Sequence, residues 1–198
     1  MNGIMFTEPL FHAVIEGRKT QTRRIIKPQP DDEGLHDHTK FPMSFHPSYN
    51  MVGFWGTVEE TGESKQFNPR YKLGDTVYLK EPYYEFDLET ILYKYRGDFV
   101  GDAHDSQKNM VWENKLFMPA KYARYFIEIT GVYVERLQDI SDEDCLREGI
   151  LLSDIDKPPH YDFDTPQEAY AALINNINGE GTWDRNPYVW VYDFKLVK

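Results

Sequence analysis

The chain reads as an α+β protein built on a small curved or closed β-sheet, with a few short helices at its rim and an irregular insertion at about residues 28–70. Three observations predict this. Several stretches alternate apolar and polar residues with the two-residue period of a half-buried strand. Only three stretches read as helices, each short and bounded by its own start and stop signals. Between Lys27 and Tyr71 the chain concentrates Pro28, Pro30, Pro42, Pro47 and Pro69 among polar residues, which breaks any regular period. At 198 residues, 40% hydrophobic and 15% aromatic, the chain is long enough to bury one sizeable core, so residues 1–198 are expected to form a single domain.

The first helix is expected after Thr7-Glu8-Pro9, an N-cap candidate followed by residues suited to a first turn, with Leu10, Phe11 and Val14 on one face and Gly17 as its stop. Thr20 to Ile26 permits a strand ending before Pro28. In the insertion, Phe41, Phe45, Tyr49, Phe54 and Trp55 suggest packing back on the body through a hairpin that turns near Glu60-Thr61-Gly62-Glu63. Leu73-Gly74-Asp75 turns into a strand over Thr76 to Lys80, and a further strand is expected over Thr90 to Tyr95. Ala123 to Leu137 reads as a long central strand, with Phe126, Ile127, Ile129, Val132 and Val134 as core candidates.

Ser141 caps a second helix whose first turn holds Asp142, Glu143 and Asp144, and Gly149 closes it. Thr165-Pro166-Gln167-Glu168 is a capping box opening a third helix that runs to about Asn176. A final strand follows the turn-rich Asn178 to Pro187, with Tyr188, Trp190, Tyr192 and Phe194 alternating with Val189, Val191, Asp193 and Lys195.

The net charge of −11 argues against a protein that coats nucleic acid by bulk electrostatics. Its distribution says more. Residues 16–27 hold Arg18, Lys19, Arg23, Arg24 and Lys27 against Glu16 alone, while the rest of the chain is strongly acidic. A basic island on an acidic body can hold one anionic group while repelling non-specific polyanions; a solvated turn is the plainer alternative. No apolar run reaches membrane-spanning length and no secretory signal is present, so a cytoplasmic protein with no membrane partner is expected. Cys145 stands alone, without the spacing of a zinc site or a nucleophile signature, and is expected to pack on its helix. His36-Asp37-His38 lacks a spaced third ligand, and there is no glycine-rich phosphate loop, so neither metal nor cofactor is expected.

Four segments together resemble the ASCH-domain family of the PUA-like superfamily, especially its phage- and prophage-associated branch. They are Gly17-Arg18-Lys19-Thr20-Gln21-Thr22-Arg23-Arg24 with Lys27-Pro28-Gln29-Pro30; Gly74-Asp75-Thr76-Val77-Tyr78-Leu79-Lys80-Glu81; Met118-Pro119 through Arg124 and Glu135-Arg136-Leu137 to Ser141, Glu148, Gly149 and Ile150; and Trp183-Asp184-Arg185-Asn186-Pro187-Tyr188-Val189-Trp190. The resemblance implies a PUA-like β-barrel with a cleft lined by the basic segment, in a fold that commonly binds RNA or nucleotides. The chain departs from the branch pattern at Met118 to Arg124, where Arg-Trp-Ala-Ser usually precedes the arginine, which weighs against a stacking role there.

A subset of small ASCH-like proteins is made of amidohydrolases that deacetylate acetylcytidine with a Lys, a Thr and a Glu. Matching their motif puts these roles on Lys19, Thr22 and Glu148. The chemistry is coherent: a threonine hydroxyl needs a base, and a lysine serves as one when burial and neighbouring cations lower its pKa. Arg18, Arg23 and Arg24 are candidates for that positive field and for contact with a nucleotide or nucleic acid. Glu81 either enters the same cleft or orients an arginine of the island, and Arg124 either meets an anionic ligand or forms an ion pair on its strand. Trp183, Asn186, Pro187 and Trp190 are read as packing and turn residues. Three functions are therefore carried forward: an RNA- or nucleotide-binding module, an amidohydrolase acting on acylated nucleosides, and a phage-derived protein-interaction domain supported only by the acidic exterior.

Overall fold

The computed structural model describes residues 1–31, 53–85, 91–95, 111–151 and 163–198. Among these, the main sheet has five strands in the order β1-β5-β8-β9-β2: β1 (Gly3–Met5), β5 (Thr76–Lys80), β8 (Phe126–Arg136), β9 (Tyr188–Leu196) and β2 (Gln21–Ile25). The pairings are antiparallel except β1 with β5, which run parallel. Two hairpins stand apart from it, β3 (Phe54–Thr57) with β4 (Ser64–Phe67), and β6 (Tyr83–Glu85) with β7 (Ile91–Tyr93). The helices are α1 (Glu8–Ile15), α2 (Asp142–Arg147), α3 (Pro166–Asn178) and α4 (Thr182–Arg185).

This is the expected α+β arrangement, but among the described residues no ladder joins β1 to β2, so the sheet is open. Its two edges nevertheless approach one another, because Arg24 on β2 donates through Nη2 to the Met5 carbonyl on β1 at 2.9 Å. The long strand β8 bends at a register shift between Ile129 and Gly131. One extra residue there reverses side-chain parity. Ile127 and Ile129 before it, and Val132 and Val134 after it, consequently belong to one buried cluster. A Cβ at Gly131 would lie 2.8 Å from Asp193 Oδ2, so the Asp193 side chain fills the space that a side chain there would need.

Strand alternation sorts the core into two faces. Trp190, Tyr192 and Phe194 of β9 join Phe11 and Val14 of α1 and Phe54 and Phe67 of the first hairpin. Val189 and Val191 face Cys145 of α2 and Tyr170 and Ile174 of α3. Each fully buried large side chain contributes roughly 1.5–3 kcal/mol of transfer free energy. Covering both faces is what makes β9 apolar along most of its length.

The caps follow the sequence with small differences. Ser141 Oγ accepts from the Asp144 amide at 3.1 Å, and Thr165 Oγ1 accepts from the Glu168 amide at 3.2 Å. Glu168 reaches back to the amide of Asp164, one residue before the cap. Thr7 caps α1 without a side-chain hydrogen bond. Strands β1 and β6 and the one-turn α4 were not expected, since three or four residues carry too little periodicity to register. Phe126 is only half-buried. The expected packing of Phe41, Phe45 and Tyr49 and the His36-Asp37-His38 cluster lie outside the described residues. Among the described residues, no helix is long and apolar enough to cross a membrane, and no group of three or more His, Cys, Asp or Glu side chains is placed to hold a metal.

Candidate functional site

Helix α1 ends at Ile15 with Glu16 as its C-cap, and the chain then turns at Gly17 so that the amides of Arg18 and Lys19 both return to the Ala13 carbonyl at 2.9 Å. Thr20 ties this turn to α2 and β9: its amide donates to Arg147 O, and its carbonyl accepts from the Phe194 amide, both at 2.8 Å. Lys19 is held inside as a result, with 1% of its surface exposed.

Its Nζ donates to the Gln21 carbonyl at 2.8 Å, to the Glu148 carbonyl at 2.7 Å and to Glu148 Oε2. Three acceptors satisfy the three N–H bonds of an ammonium. Burial lowers the Lys19 pKa to about 8; the Glu148 carboxylate opposes that shift, while Arg24 and Arg23 assist it.

Glu148 caps the C-terminus of α2 and is itself buried. Gly149 follows with φ +96°, and a Cβ there would sit 3.3 Å from Lys19 Cβ and 3.2 Å from Ala13 Cβ. Only a glycine lets α2 end this close to the turn carrying Lys19. Arg23 Nη1 approaches Glu148 Oε1 at 3.3 Å, and the Tyr170 hydroxyl, on α3, donates to the same oxygen at 3.5 Å. Burial lifts the Tyr170 pKa well above that of an ordinary phenol, and the Glu148 charge adds to the shift.

Lys19, Thr22 and Glu148 line one cavity of about 220 Å³, together with Phe6, Tyr170 and Lys115 among others. Thr22 and Arg24 fall two residues apart on β2 and share one face of the strand, while Arg23 and Ile25 reach the same cavity from the other. The Thr22 hydroxyl has no hydrogen-bond partner among the described residues, although Thr22 is 4% exposed. Lys19, Arg23, Glu148, Tyr170 and Lys115 are held by hydrogen-bond partners, whereas the Thr22 hydroxyl faces the space uncommitted.

The basic island divides in an order its sequence does not show. Arg18 turns outward and pairs with Glu16 at 2.5 Å. Arg23 is enclosed: Nε donates to Glu135 Oε1 at 2.6 Å, Nη1 to Gln21 Oε1 at 2.5 Å, and Nη2 to Asp144 Oδ2 at 3.4 Å. Burial pulls its pKa down, but Glu148 and Glu135 outweigh that and hold it above the ordinary value. Arg24 is different. It forms no ion pair with a carboxylate among the described residues, its guanidinium lies 5.4 Å from the Phe6 ring, and burial lowers its pKa.

Glu81 and Arg124 lie apart from this cavity. They pair with each other, Arg124 Nε to Oε1 at 2.9 Å and Nη2 to Oε2 at 2.6 Å, and the guanidinium sits 4.3 Å from the Tyr93 ring. Glu81 therefore orients an arginine outside the island, and Arg124 forms the ion-pair alternative. Asn186 adopts φ 45° and its Oδ1 accepts from the Gln138 amide at 2.8 Å, serving turn backbone as expected. Trp190 is buried, and Trp183 packs edge-on to Tyr170 with centroids 6.3 Å apart. Cys145 is enclosed beneath α2, where burial pushes its thiol pKa up to about 12.

Tyr170 and Lys115 belong to the site without having been anticipated. Tyr170 carries the signal of a core aromatic on an amphipathic helix, and Lys115 that of an ordinary surface lysine. Only the fold brings Lys115 Nζ to the Phe6 carbonyl, at 2.6 Å. Comparison with protein-family models, with curated proteins and with solved structures returned no match.

Proposed function

We propose that the protein is an amidohydrolase that removes the acyl group from an acylated nucleoside such as acetylcytidine, with Thr22 as nucleophile, Lys19 as base and Glu148 as proton carrier. The observation that carries this reading is the small cavity in which a buried lysine of lowered pKa accompanies an uncommitted threonine hydroxyl. Pockets for whole drug-sized ligands run to several hundred Å³, so a cavity of about 220 Å³ suits an acylamino group and part of a ring.

In this mechanism neutral Lys19 takes the proton of Thr22 Oγ1 as that oxygen attacks the acyl carbonyl. As the C–N bond breaks, the proton passes through Glu148 to the departing amine, leaving an acyl ester on Thr22. Water then attacks the ester and gives its proton to Lys19. The C–Oγ1 bond breaks, Lys19 returns the proton to Thr22, and the carboxylic acid leaves. The sum is amide plus water to acid plus amine.

Incubation with acetylcytidine, following cytidine release, tests the reading. Turnover abolished by Lys19→Ala and Thr22→Val is the expected result; no turnover above those variants overturns it. The PUA-like barrel and ASCH membership belong to the same proposal, supported by the near approach of the β1 and β2 edges at Arg24 and Met5. A second reading, binding of RNA or a nucleotide without hydrolysis, is favoured by Arg24, which has no carboxylate partner among the described residues. Unaltered CMP and oligocytidylate binding by Arg24→Ala counts against it.

A further inference from the structure

A second and larger cavity, of about 730 Å³, lies between the edges of β1 and β2 and is walled on its outer side by β4 and the segment following it. Among the described residues its lining includes the cations Arg24, Lys27, Lys65 and Arg70, and no aspartate or glutamate. None of the four forms an ion pair among the described residues, whereas Arg18, Arg23, Arg124, Arg147 and Lys195 each do. In a chain carrying 33 acidic residues against 22 basic ones, four cations without an ion pair or an acidic neighbour in the lining, among the described residues, are a departure from the general distribution. Like charges gathered there repel, and an anion relieves that repulsion. Tyr71 and Trp190 supply aromatic surface in the same wall.

We propose that this cavity is a phosphate subsite, and that the substrate of the smaller cavity is a nucleotide rather than an uncharged nucleoside. This rests on the hydrolase reading for the fate of the base, but the anion site stands on its own charges. The two cavities share Met5, Arg24 and Ile25 in their linings. The hydrogen bond from Arg24 to the Met5 carbonyl crosses from one edge strand to the other at that boundary. A ligand whose acylated base reaches Thr22 extends past Arg24 and delivers its phosphate to Lys65 and Arg70, and a volume of this size suits a sugar phosphate where the smaller one does not.

The test is calorimetric binding of CMP, cytidine and inorganic phosphate to the full chain and to the double variant Lys65→Ala/Arg70→Ala. Both side chains are exposed, so their loss is compatible with folding, which a thermal melt checks. CMP is expected to bind at least tenfold more tightly than cytidine, with phosphate competing and the advantage shrinking as salt rises. The double variant is expected to bind CMP and cytidine alike while keeping the affinity for cytidine. Equal binding of CMP and cytidine by the native chain, or an undiminished preference in the double variant, overturns the subsite. A preference for CMP in a protein that deacetylates neither acetylcytidine nor its 5′-monophosphate upholds the subsite and overturns the hydrolase reading alone. An oligocytidylate that binds more tightly than CMP places a strand phosphate in the subsite; equal binding places a free nucleotide there.

Discussion

Lys19 and Glu148, 129 residues apart in sequence, are joined twice: Lys19 Nζ donates to the backbone carbonyl of Glu148 at 2.7 Å and to its carboxylate. The double attachment fixes the end of α2 against the turn leaving α1. Removing one member of a buried pair leaves an uncompensated charge, which costs about 3–5 kcal/mol. Lys19→Ala is therefore expected to lower unfolding free energy by an amount in that range. The double variant Lys19→Ala/Glu148→Ala should lose less than the two single losses together. Urea unfolding of all four proteins measures the coupling, and strict additivity would contradict the pairing.

The lowered pKa of Lys19 sets the direction of pH dependence. A base must be neutral, so kcat/KM for acylated nucleosides is expected to rise with pH through an inflection at about 8. Glu148 raises the Lys19 pKa, so in Glu148→Gln the inflection should move to lower pH even as the maximal rate falls. Stability follows the same linkage. Between about 8 and 10.5 the unfolded chain holds a proton that folded Lys19 has released, so this group makes stability rise with pH across that window and leaves it level below about 8.

Thr22 separates chemistry from structure. Its hydroxyl has no partner among the described residues, so Thr22→Val, similar in shape, should change stability by less than about 1 kcal/mol. Loss of the nucleophile should nonetheless reduce turnover by at least about a thousandfold, with Thr22→Ser retaining part of it. Equal activity of Thr22→Val and the native chain would remove Thr22 from the mechanism.

Gly149 is a positional requirement of the site. An alanine there meets both a φ of +96° and close contacts with Ala13 and Lys19. Strain of this kind costs roughly 1–3 kcal/mol. Gly149→Ala is expected to lower the melting temperature and, by displacing α2 from Lys19, to shift the inflection of the rate profile. An unchanged profile would show that Glu148 tolerates the displacement.

Arg124 offers the contrast. Arg124→Ala leaves the fully buried Glu81 carboxylate without its cation, and burial already pushes the Glu81 pKa up. A loss of several kcal/mol in stability is expected, with no effect on nucleotide affinity once the protein is folded. Weakened CMP binding at equal stability would return Arg124 to the ligand site.

The local features were readable because their causes are local. Ser141 and Thr165 cap their helices by reaching an amide three residues ahead, and β9 shows its two covered faces as alternation within nine residues. The strand over Thr76 to Lys80 falls where its period placed it. The parity change in β8 was hidden, since a bulge is decided by the approach of β9 at Gly131 and Asp193. Lys115 and Tyr170 gave no sign of belonging to the site because each reaches it from an element distant in sequence.

The amino-acid order alone specified the helix stops, the strand periods and a concentration of positive charge after α1. It did not say which of those charges are spent. Arg23 and Arg24 are adjacent and chemically identical, yet strand alternation turns one into a ring of carboxylates and leaves the other between two cavities. Partner choice of that kind depends on which side chains the sheet and α2 bring within a few ångströms, and electrostatic energy falls with distance in space, whatever the separation along the chain.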